Sequence, residues 1–201
     1  MDIIHRFRRF AIAFTADIAK MYWQILFHPD DCKFQYILWR NSINEEIQIY
    51  RLNTVTYGTV CAPYLAIKCL RTLAEDSKAQ FPVGAAVASQ DFYVDDCMHS
   101  VPTLEEAIQT REELQSLCNS SGFPLQKWTS YSKKLLEQIP ETLLEKSPLL
   151  DIVTDPSVKT LGIRWNTIQD GFQFKYQTFE HDANTKRSIL SCIAKLYDPM
   201  G

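Results

Sequence analysis

Phe92 to Asp96, FYVDD, closes an apolar run with two adjacent carboxylates, and a third acid, Asp17, closes another β-like run, RFAIAFTAD. Carboxylate oxygens are hard ligands that suit Mg²⁺, an ion usually held by one or two carboxylates together with substrate phosphates. Phosphoryl transfer is the chemistry such a group serves. A pair of ions ~3.5–4 Å apart can clamp the attacking and leaving oxygens of an in-line displacement, which requires acids from separate segments to converge. Taken alone, Asp95 and Asp96 would suit a hairpin turn, because Asp bonds its own backbone neighbours. Asp17 at a second strand end makes the three a candidate metal site. Asp30, Asp31 and Asp91 read as turn caps or solvent-facing acids, and His28 and His99 as surface or turn residues.

The elements that must position these acids follow from periodicity. A strand is expected over 10–17, with the whole opening MDIIHRFRRFAIAF read as a buried strand that flows into Asp17 rather than as a secretory leader. QILFHP, KFQYILW and IQIYRLNTV are rich in β-branched and aromatic residues, with RNSINEE as a hairpin connection. Apolar residues at helical spacing, Leu65, Cys69, Leu70, Leu73 and Ala74, predict an amphipathic helix over 63–80 that Pro63 can open. AAVASQDFYV is expected to be a strand that turns at or near Asp95 and Asp96 and returns through CMHSV. Thr103 and Glu106 form a capping-box pattern for a helix ended by Ser-Ser-Gly, and FPLQKWTS follows as a strand. LGIRWN and FQFKYQTF flank a hairpin turn over 167–171, and SILSCIAKLYD reads as a helix. Strand, helix, hairpin, helix, strand is the split βαβ, ferredoxin-like pattern. The fold class is therefore α+β.

The 201 residues are 46 % hydrophobic and 12 % aromatic, enough to build a core. A net charge of −3 weighs against a strong generic nucleic-acid binder, whose affinity comes from Lys and Arg neutralising phosphates. The basic residues cluster locally, at Arg6, Arg8 and Arg9 and at Lys127, Lys133 and Lys134, the last two read as solvated. Six cysteines show no CxxC spacing, so an intracellular, reducing compartment, cytoplasmic or nuclear, is expected and secretion is not. No apolar stretch approaches the ~20 residues that span a bilayer, so no membrane partner is expected.

Several strings together carry a resemblance. ADIAKMYWQILFHPDD resembles the first catalytic motif of reverse transcriptases, TYGTVCAPYLAIKCL the second, and FYVDD the Tyr-x-Asp-Asp box, in matching order and spacing. With YRLNTVTYGTVCAPYLA, GFPLQKW, LGIRWN and TKRSILSCIAKLYDPMG, the chain is similar to the polymerase of BEL/Pao long-terminal-repeat retrotransposons over almost its whole length. The resemblance implies an RNA-directed DNA polymerase that extends a primer on an RNA or DNA template with deoxynucleoside triphosphates. Its fold would be a ferredoxin-like polymerase palm with partial fingers, truncated before thumb and RNase H. By residue, this divides into palm with partial fingers over 1–130, remaining palm with a primer-grip-like hairpin and linker over 131–183, and the start of a downstream helical segment over 184–201. Exposed apolar surface is expected where neighbouring subdomains are missing.

The same resemblance implies roles. Asp17 and Asp95 would hold two Mg²⁺ ions, for which Mn²⁺ could substitute, with Asp96 supporting and the Ile18 carbonyl a further ligand. Tyr22 would lie under the incoming sugar and exclude a 2′-hydroxyl, while Lys20, Tyr57, Gly58 and Lys127 would line the nucleotide and Tyr93, Leu161 and Gly162 the primer. Tyr57 stands where many relatives carry Gln, so contacts of that amide do not carry over. Tyr22 and Trp23 also fit as plain core aromatics, Trp165 likewise, Gly58 as relief for a tight turn, and Lys127 as a solvated lysine. A homo-oligomer or a complementing polyprotein chain would supply missing clamp surfaces. Two other functions stay open on sequence: a retroelement remnant that folds without catalysing, and a domesticated module that binds nucleic acid or protein.

Overall fold

The structure, a computed structural model, describes residues 2–145, 157–160, 163–168, 170–173 and 185–194. Helix α1 spans Asp2–Phe7 and strand β1 Ile12–Ile18; a hairpin of β2 (Tyr36–Trp39) and β3 (Gln48–Arg51) follows. Helices α2 (Ala62–Ser77) and α3 (Pro82–Gln90) lead to β4 (Phe92–Tyr93) and β5 (Asp96–Val101), then α4 (Leu104–Ser120), β6 (Leu125–Ser130) and the short α5 (Lys133–Leu136). Strands β7 (Ser157–Thr160), β8 (Ile163–Asn166) and β9 (Gly171–Gln173) form a separate antiparallel sheet, and α6 covers Lys186–Ala194.

The central sheet has the order β4-β5-β1-β6, and every neighbouring pair is antiparallel. Alternation along β1 divides the two faces. Phe14, Ala16 and Ile18 join the main core with Leu70 of α2, Ala85 and Ala88 of α3, and Leu114 and Leu117 of α4. Ala13 lies on the other face, in a second cluster with Phe7, Met98 and Trp165. In α2 the buried residues are Ala62, Ala66, Leu70 and Ala74, a stripe with a four-residue period. The small side chains of the three alanines let α2 approach its neighbours closely.

Three sequence-based expectations need correction. QILFHP is not a strand: a 3-10 turn over Met21–Gln24 runs into it, and Leu26 makes only an isolated bridge to Thr54. The opening segment is not one strand: Ile4 and Phe7 are buried three residues apart, a helical spacing, and β1 begins only at Ile12. AAVASQ is not the approach of a strand either, but the body of α3. A short apolar run does not distinguish helix from strand; alanine favours helix, and Pro82 pre-sets its first turn. The α3 amides of Val83 and Gly84 donate to Glu113 Oε2 at 2.8 and 3.2 Å, so a carboxylate from α4 satisfies two amides that the helix start leaves unpaired. Burial pushes the Glu113 carboxyl up, yet the bonds from Gln109, Gly84 and Val83 outweigh it and hold the pKa below its ordinary value. The expected capping box is present, with the Glu106 amide donating to Thr103 Oγ1 at 3.3 Å.

Every strand residue of the β2–β3 hairpin is exposed, among them Leu38 and Ile49. The amphipathic helix expected over 63–80, the 167–171 turn and the closing helix each have counterparts in α2, the β8–β9 connection and α6.

The α3–α4 contact yields a sharp test. Replacing glycine by alanine inside a helix ordinarily stabilises it by roughly 0.5–1 kcal/mol. A Cβ on Gly84, however, would lie 2.8 Å from the Glu113 carbonyl carbon and 2.9 Å from the Leu114 amide nitrogen, both backbone atoms. Gly84→Ala should therefore destabilise the chain by about 1–3 kcal/mol, read as a lower urea midpoint; a midpoint at or above wild type would refute this packing.

Candidate active site

The register of the sheet brings the acids together. In β1–β5 pairing, Asp17 sits directly opposite Asp96, and in β4–β5 pairing Tyr93 sits opposite Asp96. The turn is thus the two-residue loop Val94–Asp95, with Asp96 already in β5, a small shift from a turn centred on the two acids. Val94 has φ 59°, the left-handed conformation that primed hairpin turns use and that a β-branched residue rarely tolerates. The Ile18 amide donates to the Asp95 carbonyl at 2.9 Å, which ties the loop to the end of β1. Ile18 itself is fully buried, its side chain in the core.

The charge at this corner is crowded. Burial, followed by the charges of Asp95 and Asp17, raises the Asp96 pKa to about 6, with Lys127 pulling the other way. Burial also raises Asp95, aided by Asp17 and opposed by its own backbone hydrogen bond and by Lys127. Lys127 Nζ lies 3.3 Å from Asp17 Oδ2, and the Gln126 amide donates to Asp17 Oδ1 at 3.0 Å. Both come from an irregularity in β6. Thr15 pairs Thr129 while Asp17 pairs Gln126, so two β6 residues oppose Ala16 alone. Lys127 takes φ 54° at that bulge. Bulges re-aim side chains in this way next to functional sites.

Tyr22 lies beside this corner. Its hydroxyl pKa is raised by burial, then by Asp95, then by Tyr57, and its ring meets that of Tyr57 edge-on with centroids 4.7 Å apart. Trp23 also contacts Tyr57, at 6.3 Å, and the Lys20 ammonium lies 5.3 Å from the Trp23 ring centre. Lys20 therefore rests on an aromatic ring rather than on an acid. Gly58 has φ 85°, and nothing lies within 4 Å of the place a Cβ would take, so its backbone angle, not a neighbouring protein atom, demands glycine. Tyr93 is exposed. Leu161 and Gly162 lie outside the described residues.

Among the described residues no three His, Cys, Asp or Glu side chains already converge as a metal cage. The donor set nevertheless fits a hard divalent ion. Three neighbouring carboxylates face a single lysine, and Mg²⁺ needs only one or two protein carboxylates when substrate phosphates complete its shell.

Sequence reasoning missed three residues. Asp91 is neither a turn cap nor solvent-facing: it is buried, with Arg6 Nε at 2.8 Å from Oδ1 and His99 Nδ1 at 2.7 Å from Oδ2. Burial raises its carboxyl, but bonds to His99 and Arg6 prevail and hold the pKa below its ordinary value. His99 is accordingly half-buried, packed edge-on against Phe14, and not a surface residue. Gln126 gives no signal of its own, because only the bulge, invisible in the sequence, turns it toward Asp17.

The family model described as reverse transcriptase (RNA-dependent DNA polymerase) matches residues 3–164, and the chain belongs to this family. By that resemblance it is an RNA-directed DNA polymerase domain, and the family uses divalent metal ions, a nucleic-acid template with primer, and deoxynucleoside triphosphates. No curated protein matches the chain. Among the described residues no helix is long and apolar enough to cross a membrane.

Burial and charge crowding at Asp96 have a measurable consequence. A carboxyl whose folded pKa exceeds its unfolded value binds its proton more tightly when folded, so the stability it contributes is full below about pH 4 and is lost as pH rises through about 6. In chelator, the melting temperature should fall between pH 4.5 and 7. After discounting for partial exposure the loss is about 1–2 kcal/mol, or several degrees for a chain of this size. Asp96→Asn should flatten that slope and melt higher than wild type at pH 7; an unchanged slope would mean that Asp96 is not the crowded group.

Proposed function

We propose that the chain is the reverse transcriptase core of a BEL/Pao-type retrotransposon polyprotein, and that it adds deoxynucleotides to a primer 3′-hydroxyl by two-metal phosphoryl transfer. The observation that carries this reading is the Asp17–Asp96 register with Asp95 in the adjoining loop. The sheet order, with helices between β1 and β4 and again between β5 and β6, supports a ferredoxin-like palm. The β2–β3 hairpin would be its partial fingers, and the β8–β9 hairpin its primer-grip-like element.

Asp17 and Asp95 would hold the ions, with Asp96 shaping the field around them. When bound, divalent ions lower the pKa of the primer hydroxyl and neutralise the triphosphate. Lys127, which lies beside Asp17, would meet negative charge entering the corner and would supply a proton to the departing pyrophosphate. Tyr22, braced by Tyr57, would form the wall under the sugar and reject a 2′-hydroxyl by bulk.

Primer extension on an RNA template with Mg²⁺ tests the reading. Asp95→Asn, nearly isosteric, should lower the rate by several orders of magnitude, and equal rates in both would assign the activity to a contaminant. Tyr22→Ala should raise ribonucleotide use relative to deoxynucleotide by at least tenfold if the wall is steric. Template–primer binding without extension would favour a domesticated binding module, and neither would favour an inactive remnant.

A further inference from the structure

Helix α1 reaches two hairpins at once, and the ion pairs involved are unused by the chemistry proposed above. On one side Arg6 bonds the Asp91 carboxylate and the Gln90 carbonyl, at the junction from which β4 and the Val94–Asp95 loop emerge. Asp91 also accepts the Met98 amide through its carbonyl at 2.9 Å and contacts His99, so both arms of the hairpin are fastened at its root. The Arg6 carbonyl in turn accepts from Ser100 Oγ at 3.0 Å, which adds a second tie to β5. On the other side Phe7, fully buried, meets Trp165 of β8 edge-on with centroids 5.0 Å apart. Arg8 pairs with Asp170 in the β8–β9 turn, and the Trp165 indole donates to the same carboxylate at 3.0 Å. Three consecutive residues therefore grip two separate pieces of sheet.

We propose that α1 and Arg8 just beyond its end form a positioning bracket: Arg6 fixes the root of the hairpin that carries Asp95, while Phe7 and Arg8 fix the β8–β9 hairpin against the same sheet face. The spacing between the acids and the primer-side hairpin is then set by the short Arg6–Arg8 segment, which is tied to both, and not by either hairpin alone. This rests on the polymerase reading for its catalytic consequence, but the mechanical part does not. Arg6 and Asp91 are positioning residues, acting through the hairpin. The Arg6–Asp91 pair is well suited to this, since a guanidinium fork fixes orientation where an ammonium supplies charge alone.

Native-state hydrogen exchange on the full chain separates bracket from bulk stability. In Arg6→Ala the Ile18 and Met98 amides, which bond to Asp95 and Asp91, should exchange at least tenfold faster, with Leu114 and Leu117 of α4 changing less than twofold. A parallel rise at all four sites, or no rise at Ile18 and Met98, would overturn the bracket. In primer extension Arg6→Ala should lower kcat at least tenfold with the nucleotide KM within threefold, and Arg6→Lys should recover only part of the loss. Asp170→Asn should also weaken template–primer binding severalfold; unchanged affinity would overturn the primer-side half. If wild type extends no primer, the polymerase reading fails, and the exchange pattern still decides the bracket.

Discussion

Everything in this fold answers to one electrostatic constraint: Asp17 and Asp96 stand directly opposite each other on neighbouring strands, with Asp95 one residue away. Like charges in that position are destabilising, and burial, followed by the charges of Asp95 and Asp17, raises the Asp96 pKa to about 6. The surrounding structure over-determines the arrangement. β1 is paired on both sides, its helix-facing residues lie in the main core, and the Ile18 amide pins the Asp95 loop. A locally unfavourable corner persists because nothing around it can relax without opening the sheet.

The period of two along β1 explains why the register cannot drift. Phe14, Ala16 and Ile18 face the helices, so a one-residue slip would drive Asp17 into the apolar layer and lift Ile18 out of it. The irregularity that the site does require is placed in β6, where the extra residue costs a pairing at one edge and leaves the β1–β5 register unbroken. That choice brings Lys127 and Gln126 onto Asp17 from the side opposite Asp96. The acid thus lies between the Lys127 ammonium and Gln126 amide on one side and Asp96 on the other, which fixes the place of its carboxylate.

Much of this is legible in the sequence, and the exceptions have physical causes. Asp17 and Asp95 can be paired because each ends a β-like run, and α4 can be placed because Thr103 and Glu106 form a local cap. α3 is not legible. Its apolar run is too short for periodicity to identify, and its start is satisfied by Glu113 from a distant helix rather than by a cap of its own. Asp91 looks like any other surface acid, because its partners Arg6 and His99 come from α1 and β5 and meet it only in the folded chain. The bulge at Lys127 leaves no trace in the residue types, since a lysine in a left-handed conformation is set by tertiary context. What escapes the sequence is long-range polar pairing; what it reveals is local pattern.

The site therefore has two parts with different mechanical bases. The acids belong to the central sheet, where register and core packing hold them. The aromatic wall belongs to the segments before α2: Tyr22 leans on Tyr57, Tyr57 meets Trp23, and the chain reverses at Lys20 and Gly58 through left-handed backbone angles. Tyr57 and Trp23 are both about half exposed, at 55 % and 54 %, so the wall is braced by its own rings more than by the core. Under the polymerase reading this divides the labour: the sheet would govern the chemistry common to all nucleotides, and the wall would govern which sugar is admitted. A change at Tyr57 or Trp23 can then shift selectivity while the acids keep their register, because both rings are exposed and lie outside the core that holds β1, against which only Tyr22 of the three packs.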